Sequence, residues 1–276
     1  MFTINCRGRL LVIDQPLVMG IINLTPDSFY SGSRFSQTEA ILQKAGQMLA
    51  EGAAILDIGG QSTRPGSELL TADEEAKRIL EPIAAIKDRY PDCIISVDTF
   101  YAETAHAAVN AGATIVNDIS GGAMDGDMLA TVADLDVPYI CMHMKGTPQT
   151  MQSEAVYKNI TVEVLDYFIR KTERCAHAGI KDIIIDPGFG FAKTITHNFQ
   201  LLRELSVLKM LGKPLLAGLS RKSSVYKTLG ITPEESLNGT TVLNTLALHG
   251  GASILRVHDV KAAREAIRLF TAVQSA

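Results

Sequence analysis

The chain has 276 residues, 46% of them hydrophobic and 20% charged, with 26 basic side chains against 30 acidic ones. That is enough apolar material for one sizeable core, and a formal charge of -4 sets up no field that would recruit nucleic acid or an anionic membrane surface. The opening "MFTINCRGRLLVIDQ" lacks a secretory apolar stretch, and no later segment approaches about 18 apolar residues in a row, so the expectation is a soluble, cytoplasmic protein acting on small molecules.

In chain order, "TIN" and "RLLVI" around "CRG" read as an N-terminal hairpin. Short apolar, β-branched runs then recur at 17–22, 54–58, 93–97, 114–116, 138–142, 182–186, 214–219 and 253–257. Runs without polar alternation suit parallel strands covered on both faces. Helical patterns lie between them. Ala76, Ile79, Leu80, Ile83 and Ile86 form one stripe, with acids at its start, Lys87 and Arg89 at its end, and Pro82 inside, where a kink is expected. A second stripe over 161–178 stops at Gly179, a candidate C-cap, and others lie near 37–50, 197–211, 234–249 and 260–274. Cys6, Cys93, Cys141 and Cys175 show no C-x-x-C or zinc-type spacing and read as free thiols of a reducing compartment.

Eight strands alternating with helices in a chain of this length predict an α/β fold, a (β/α)8 TIM barrel behind a short N-terminal β-hairpin, with residues 1–276 as one domain. A doubly wound open sheet is the competing architecture, but no G-x-G-x-x-G follows the first strand. Barrel active sites lie at the C-terminal strand ends. There the chain carries Asn23, Asp57 with Thr63 and Arg64, Asp98, Asn117, His143, Asp186, Ser220 with Lys222, and Arg256 with His258. Each has a plainer reading: Asp57 could tie down a loop, Asn117 and Asp118 could cap a turn, and His143 could be packed and hydrogen-bonded.

Asp98, Asn117 and Asp186 suit a flat heterocycle with a donor-rich edge. Asn23, Thr63, Arg64, Arg256 and His258 supply donors and positive charge for phosphate oxygens. Arg256 is expected on the rim, where its loss would leave the fold intact. "GFGFAK" lacks the G-K-[ST] ending of a phosphate loop and reads as a turn that places Phe191 at the pocket mouth.

"VMGIINLTPDSF", "DIGGQSTRPG", "SVDT", "NDISG", "MHMKGTPQTMQ", "DPGFGFAK", "LSRKS" and "RVHDV", in this order, resemble the dihydropteroate synthase family over essentially the whole chain. The resemblance implies condensation of 4-aminobenzoate with 6-hydroxymethyl-7,8-dihydropterin diphosphate, giving 7,8-dihydropteroate and diphosphate, with Mg2+ as cofactor. It implies that Asp98, Asn117, Asp186 and Lys222 bind the pterin, with Gly218 beside them. By the same likeness Asn23 holds Mg2+ and diphosphate, and Thr63, Arg64, Arg256 and His258 contact the diphosphate. Phe29, Pro65, Phe191, Lys222 and Ser223 form the aminobenzoate site, and Asp98, Lys222, Arg64 and Asn23 are the catalytic group. A homodimer through the last helices is expected.

Three positions depart from the family pattern: "DSFYSGS" in the first loop, Gln61 where Glu is frequent, and Ala192 where Gly is common. Loops 23–36 and 61–70 are expected to close over the site and exclude water. Two rival readings share the barrel. A methyltetrahydrofolate methyltransferase would have less use for the cationic diphosphate set, and a non-catalytic pterin-binding paralogue would need no Mg2+ group.

Overall fold

The computed structural model describes residues 1–24, 34–62 and 68–276. Thr63, Arg64, Pro65 and Phe29, the "DSFYSGS" departure and most of the two expected closing loops lie outside the described residues.

The chain opens with an antiparallel hairpin, β1 (Phe2–Cys6) and β2 (Arg9–Ile13). Arg7 and Gly8 both have positive φ, 53° and 88°, as a two-residue turn matched to strand twist requires. Eight parallel strands follow: β3 (Leu17–Asn23), β4 (Ile55–Gly59), β5 (Ile94–Asp98), β6 (Ile115–Asp118), β7 (Tyr139–Met142), β8 (Ile183–Asp186), β9 (Leu216–Ala217) and β10 (Ile254–Val257). They are ordered β8-β7-β6-β5-β4-β3-β10-β9. A parallel bridge between Ile185 and Leu215 closes the sheet on itself, so the architecture is the expected barrel.

Among the described residues the helical shell consists of α1 (Arg34–Ala50), α2 (Ala72–Arg89), α3 (Ala102–Ala111), α4 (Met128–Leu135), α5 (Ile160–His177), α6 (Ile195–Arg203), α7 (Ser223–Leu229), α8 (Leu237–His249) and α9 (Val260–Gln274). Helix α2 runs through Pro82 without a break and opens on a capping box between Thr71 and Glu74. Helix α5 ends in a Schellman motif: Gly179, at φ 98°, donates to the Ala176 carbonyl and Ile180 to that of Cys175.

The stripe at 197–211 proves to be two elements, α6 and a 3-10 turn over Leu205–Leu211. Leu205, Leu208 and Leu211 are spaced by three, the period of a 3-10 turn, and Leu205 and Leu208 are fully buried. Helices α3 and α4 give little periodic signal. The face α3 buries is Ala102, Thr104, Ala105, Ala108 and Val109, and α4 has only 8 residues.

Side chains alternate across each strand, and this decides what the barrel contains. Val18, Leu56, Ile95, Val116, Cys141, Ile185, Ala217 and Leu255 point outward into the helical shell. Met19, Ile55, Ile94, Ile115, Ile140, Ile184, Leu216 and Ile254 point inward and form one apolar layer, sealed from below by Ile4, Cys6, Leu11 and Ile13 of the hairpin. Asn5 donates from its backbone to Asp182 Oδ2 at 2.8 Å, and Arg7 to the Val109 carbonyl at 2.9 Å, fixing the hairpin as a plug. One step of two residues above that layer, most of the strands reach the site, while β3 and β7 place Ile21 and Met142 there.

Ile115→Ala removes one full member of the sealed layer. We expect a loss of about 2–5 kcal/mol, read as a lower urea midpoint at unchanged slope.

Candidate active site

Two residues beyond its inward apolar residue, each strand again faces inward. This places Asp57 above Ile55, Ser96 and then Asp98 above Ile94, Asn117 above Ile115, Asp186 above Ile184, Gly218 above Leu216 and Arg256 above Ile254. The acids and amides that end the apolar runs are therefore the barrel's upper interior. Asp57 is 0% exposed, Asn117 4% and Asp186 6%, so they meet each other rather than bulk water.

Arg256 is the centre of this cluster. Its Nε donates to Asp57 Oδ2 at 2.6 Å and its Nη2 to Asp98 Oδ2 at 2.6 Å. Asn117 Nδ2 donates to both Asp57 oxygens at 3.2 and 3.3 Å. Asp57 is thus not a loop tether, and Arg256 is not a loose rim side chain, because it bridges two carboxylates across the barrel. Burial opposes its charge, but Asp57 and Asp98 outweigh that and raise its pKa.

Asp98 is pushed up to about 7 by burial, with Asp57 and Asp118 adding to the effect and Arg256 opposing it. Lys222 is brought down to about 8, by burial first and by Arg256, while Asp186 and Asp98 favour its charge. Asp186 is raised by burial against the Gly188 N–H, which donates to its Oδ1 at 2.7 Å, and against Lys222.

The turn after β8 supplies the apolar wall. Phe191 is 8% exposed, and Lys222 Nζ lies 4.2 Å from its ring centroid. Gly218 faces Asp186: a Cβ there would lie 4.0 Å from Asp186 Oδ2, an ordinary contact distance. Ser223 opens α7, directly after Lys222.

His258 Nδ1 and Ser220 Oγ are hydrogen-bonded at 3.0 Å, in a direction set by the ring tautomer, and the same oxygen accepts from the His258 backbone N–H at 3.2 Å. Burial, Arg256 and Arg221 bring the pKa of His258 down to about 4, so it offers a neutral ring and not the positive charge expected of it. Asn23 ends β3 half-buried, level with Gly59 of β4 and Asp98 of β5. The intervening glycine leaves the space between the two side chains clear.

Other polar strand-end residues serve the scaffold. Asp118 accepts from Ser120 N–H, Gly122 N–H and the Tyr139 hydroxyl at 2.6–2.7 Å, which folds the turn after β6. His143 is 2% exposed and packs edge-on against Tyr167 at 4.8 Å, with Lys193 donating to its Nδ1. Ala192 sits at φ 48°, a conformation that glycine adopts without strain.

Gln61 uses both ends of its amide. It donates to the Ser62 and Glu68 carbonyls at 3.0 and 3.2 Å and accepts from Leu70 N–H at 2.8 Å, so it ties together the two ends of the segment bearing Thr63 and Arg64. A glutamate in its ionised form could not donate to those carbonyls. Sequence reading missed Ser96, a buried hydroxyl with no hydrogen-bond partner inside the barrel, and the burial of Lys193. The period-two step from Ile94 would have found the first.

Comparison with known proteins accords with this geometry. Residues 19–258 match the model of the pterin-binding enzyme family. A dihydropteroate synthase of Streptococcus pyogenes is 42% identical over 268 residues, which are 96% of this chain and 98% of that protein. A solved dihydropteroate synthase of Xanthomonas albilineans with 4-aminobenzoic acid superposes with a TM-score of 0.93 at 40% identity, covering 99% of this chain and 98% of that one. A structure of the same enzyme with 7,8-dihydropteroate gives a TM-score of 0.89 at 38% identity, with 99% of each chain covered. The chain belongs to the pterin-binding enzyme family, and these relatives place it beside the dihydropteroate synthases.

Removing Arg256 strands the buried Asp57 charge. Arg256→Ala is expected to cost about 3 kcal/mol in urea unfolding, and adding Asp57→Asn to recover part of that loss.

Asp98 is ionised above its pKa and Lys222 is charged below its own. If both forms are needed, kcat/KM should rise through about 7 and fall through about 8, a bell whose limbs belong to the coupled cluster. In Lys222→Met the alkaline limb should vanish.

Proposed function

We propose that this chain is a dihydropteroate synthase, joining 4-aminobenzoate to 6-hydroxymethyl-7,8-dihydropterin diphosphate with release of diphosphate. The observation that carries the reading is the buried network of Asp57, Arg256, Asp98 and Asn117 beside Asp186 and Lys222 at the barrel mouth. Its acceptors suit the amino and ring N–H groups of a pterin, and its near-balanced charge suits a neutral ring better than a bare polyphosphate. The similarity to dihydropteroate synthases over nearly the whole chain favours this reading over a methyl transferase or a silent binding module.

In this reading Asp186 and Asn117 hold the pterin edge, Lys222 donates to its ring acceptors and Gly218 admits it. The methylene carbon then lies near Asp98 and Arg256. The C–O bond breaks with its electron pair leaving on diphosphate, and the pterin delocalises the positive charge that remains. Asp98 stabilises that charge from a water-poor interior. Diphosphate departs towards Asn23 and His258. The aminobenzoate nitrogen attacks the carbon, a C–N bond forms and the proton passes to water. Phe191 lines the aromatic wall, while Lys222 and Ser223 face its carboxylate.

No cluster of three or more His, Cys, Asp and Glu side chains among the described residues could cage a metal. That fits a Mg2+ ion carried by the diphosphate, since Mg2+ keeps most of its water and takes few protein ligands. The amide oxygen of Asn23 is the residue suited to it, and the bound ion would neutralise charge on the leaving group.

Four buried free thiols suit the reducing cytoplasm. No helix among the described residues is long and apolar enough to cross a membrane. A homodimer through α8 and α9 completes the proposal, supported by the exposed Val242, Leu246, Leu269 and Val273, which are 50–71% exposed on those helices.

The deciding experiment mixes the purified protein with dihydropterin diphosphate and Mg2+, with and without 4-aminobenzoate, and follows diphosphate and dihydropteroate together. One-for-one formation is expected; pterin binding without release of diphosphate under either condition would sink the assignment. For the dimer, light scattering should report twice the chain mass in the wild type and the single chain mass in Leu269→Glu/Val273→Glu.

A further inference from the structure

Lys193 stands outside the mechanism above, and its surroundings are unusual for a lysine. It is 4% exposed, and its Nζ contacts no carboxylate among the described residues. It donates instead to neutral acceptors: His143 Nδ1 at 2.9 Å, the Gly188 carbonyl at 2.9 Å and the Phe191 carbonyl at 3.0 Å, with the His143 carbonyl at 3.3 Å. A buried ammonium that gains no ion pair is costly to keep, and burial pulls its pKa far below the ordinary lysine value. The acceptors come from two segments only, the exit of β7 and the turn between β8 and α6.

That turn is wound tightly around the lysine. Gly188, Gly190 and Ala192 alternate at φ 69°, 85° and 48°. A Cβ on Gly188 would fall 2.0 Å from the His143 carbonyl oxygen, so the turn is pressed against the β7 exit. Its other face is the site. A Cβ on Gly190 would come 2.8 Å from Lys222 Cδ, and the Phe191 ring lies under Lys222 Nζ. Asp186, which precedes the turn, has its backbone fixed by the β7–β8 ladder, paired with Met142, while its carboxylate also accepts from the Gly188 N–H.

We infer that Lys193 is a positioning residue for the second substrate: by gathering the Gly188, Phe191 and His143 acceptors on one ammonium or amine, it fixes the Phe191 ring and the Lys222 side chain that rests on it. The inference rests on the function proposed above, in which Phe191 and Lys222 form the aminobenzoate site. It weighs on the second substrate more than on the first, because the backbone of the acid that reads the pterin is anchored by the sheet, whereas the Phe191 carbonyl is held directly by Lys193.

The test uses full-length Lys193→Met, which keeps the stem and loses the donors, and Lys193→Gln, which keeps an N–H donor and carries the comparison if the first variant does not fold. In Lys193→Met, KM for 4-aminobenzoate should rise about tenfold or more while KM for dihydropterin diphosphate moves less than about threefold. The glutamine variant should recover part of the difference. Lys222 should become better hydrated as Phe191 loosens, so the alkaline limb of the pH profile should move up, with Asp186, Asp98 and Arg256 still facing it. In a Phe191→Ala background, Lys193→Met should add less than about twofold.

Equal rises in both KM values, or a smaller active fraction with both KM values unchanged, would show a merely structural lysine and overturn the inference. Wild-type turnover is measured alongside. If the wild type makes no dihydropteroate, the functional assignment falls and this inference falls with it; wild-type turnover with unaltered variant kinetics sinks the inference alone.

Discussion

Asp57 is a fully buried carboxylate whose partners are Arg256 and Asn117. A lone carboxylate in that position would shed its charge or unfold its surroundings, so the guanidinium is a condition for having acid inside the barrel at all. Arg256 comes from the strand next to β3, and its second hydrogen bond reaches Asp98 on β5. One side chain therefore spans the barrel and sets the distance between two acids on neighbouring strands. The planar fork of arginine makes this possible; a lysine would present a point charge with no fixed spacing.

The polar interior is supported from below. The eight-residue apolar layer and the hairpin plug keep water from the lower barrel, so each charged group above it faces water on one side only. Such one-sided access accounts for the directions of the titration shifts. Asp98 and Asp186 are pushed towards their neutral forms and Lys222 towards its own, chiefly by burial, while their mutual attractions oppose the drift. Acid and amine end with values close together, so small changes in packing around them change which is charged.

Much of this could be read from the chain because strands carry their own ruler. The apolar runs announced all eight barrel strands, and the hydrogen-bonding or charged residue at the end of each run marked the rim. What the runs could not tell was depth. Arg256 read as a rim cation because its partners lie 199 and 158 residues away in sequence, and no local pattern links them. His258 read as a charge because nothing nearby in sequence shows the Ser220 hydroxyl at its Nδ1 or the field of Arg256 and Arg221. Helix α3 was silent for a different reason: it buries alanines, whose small side chains make a contact face without a strong apolar stripe.

Lys193 and Gln61 make the same point about loops. Both lie in motifs where sequence draws attention to neighbours, the aromatic residues of "GFGFAK" and the cationic "STRP", yet each is turned inward to bind backbone carbonyls. A loop that must present side chains to a ligand cannot use those same side chains to hold its own shape. The holding falls to a residue beside them that satisfies the loop's carbonyls from behind, because unpaired carbonyls there would be as costly as any in the core. In a barrel whose strands fix the acids, the residues that decide how well a second ligand is received are these inward-facing neighbours of the contact residues.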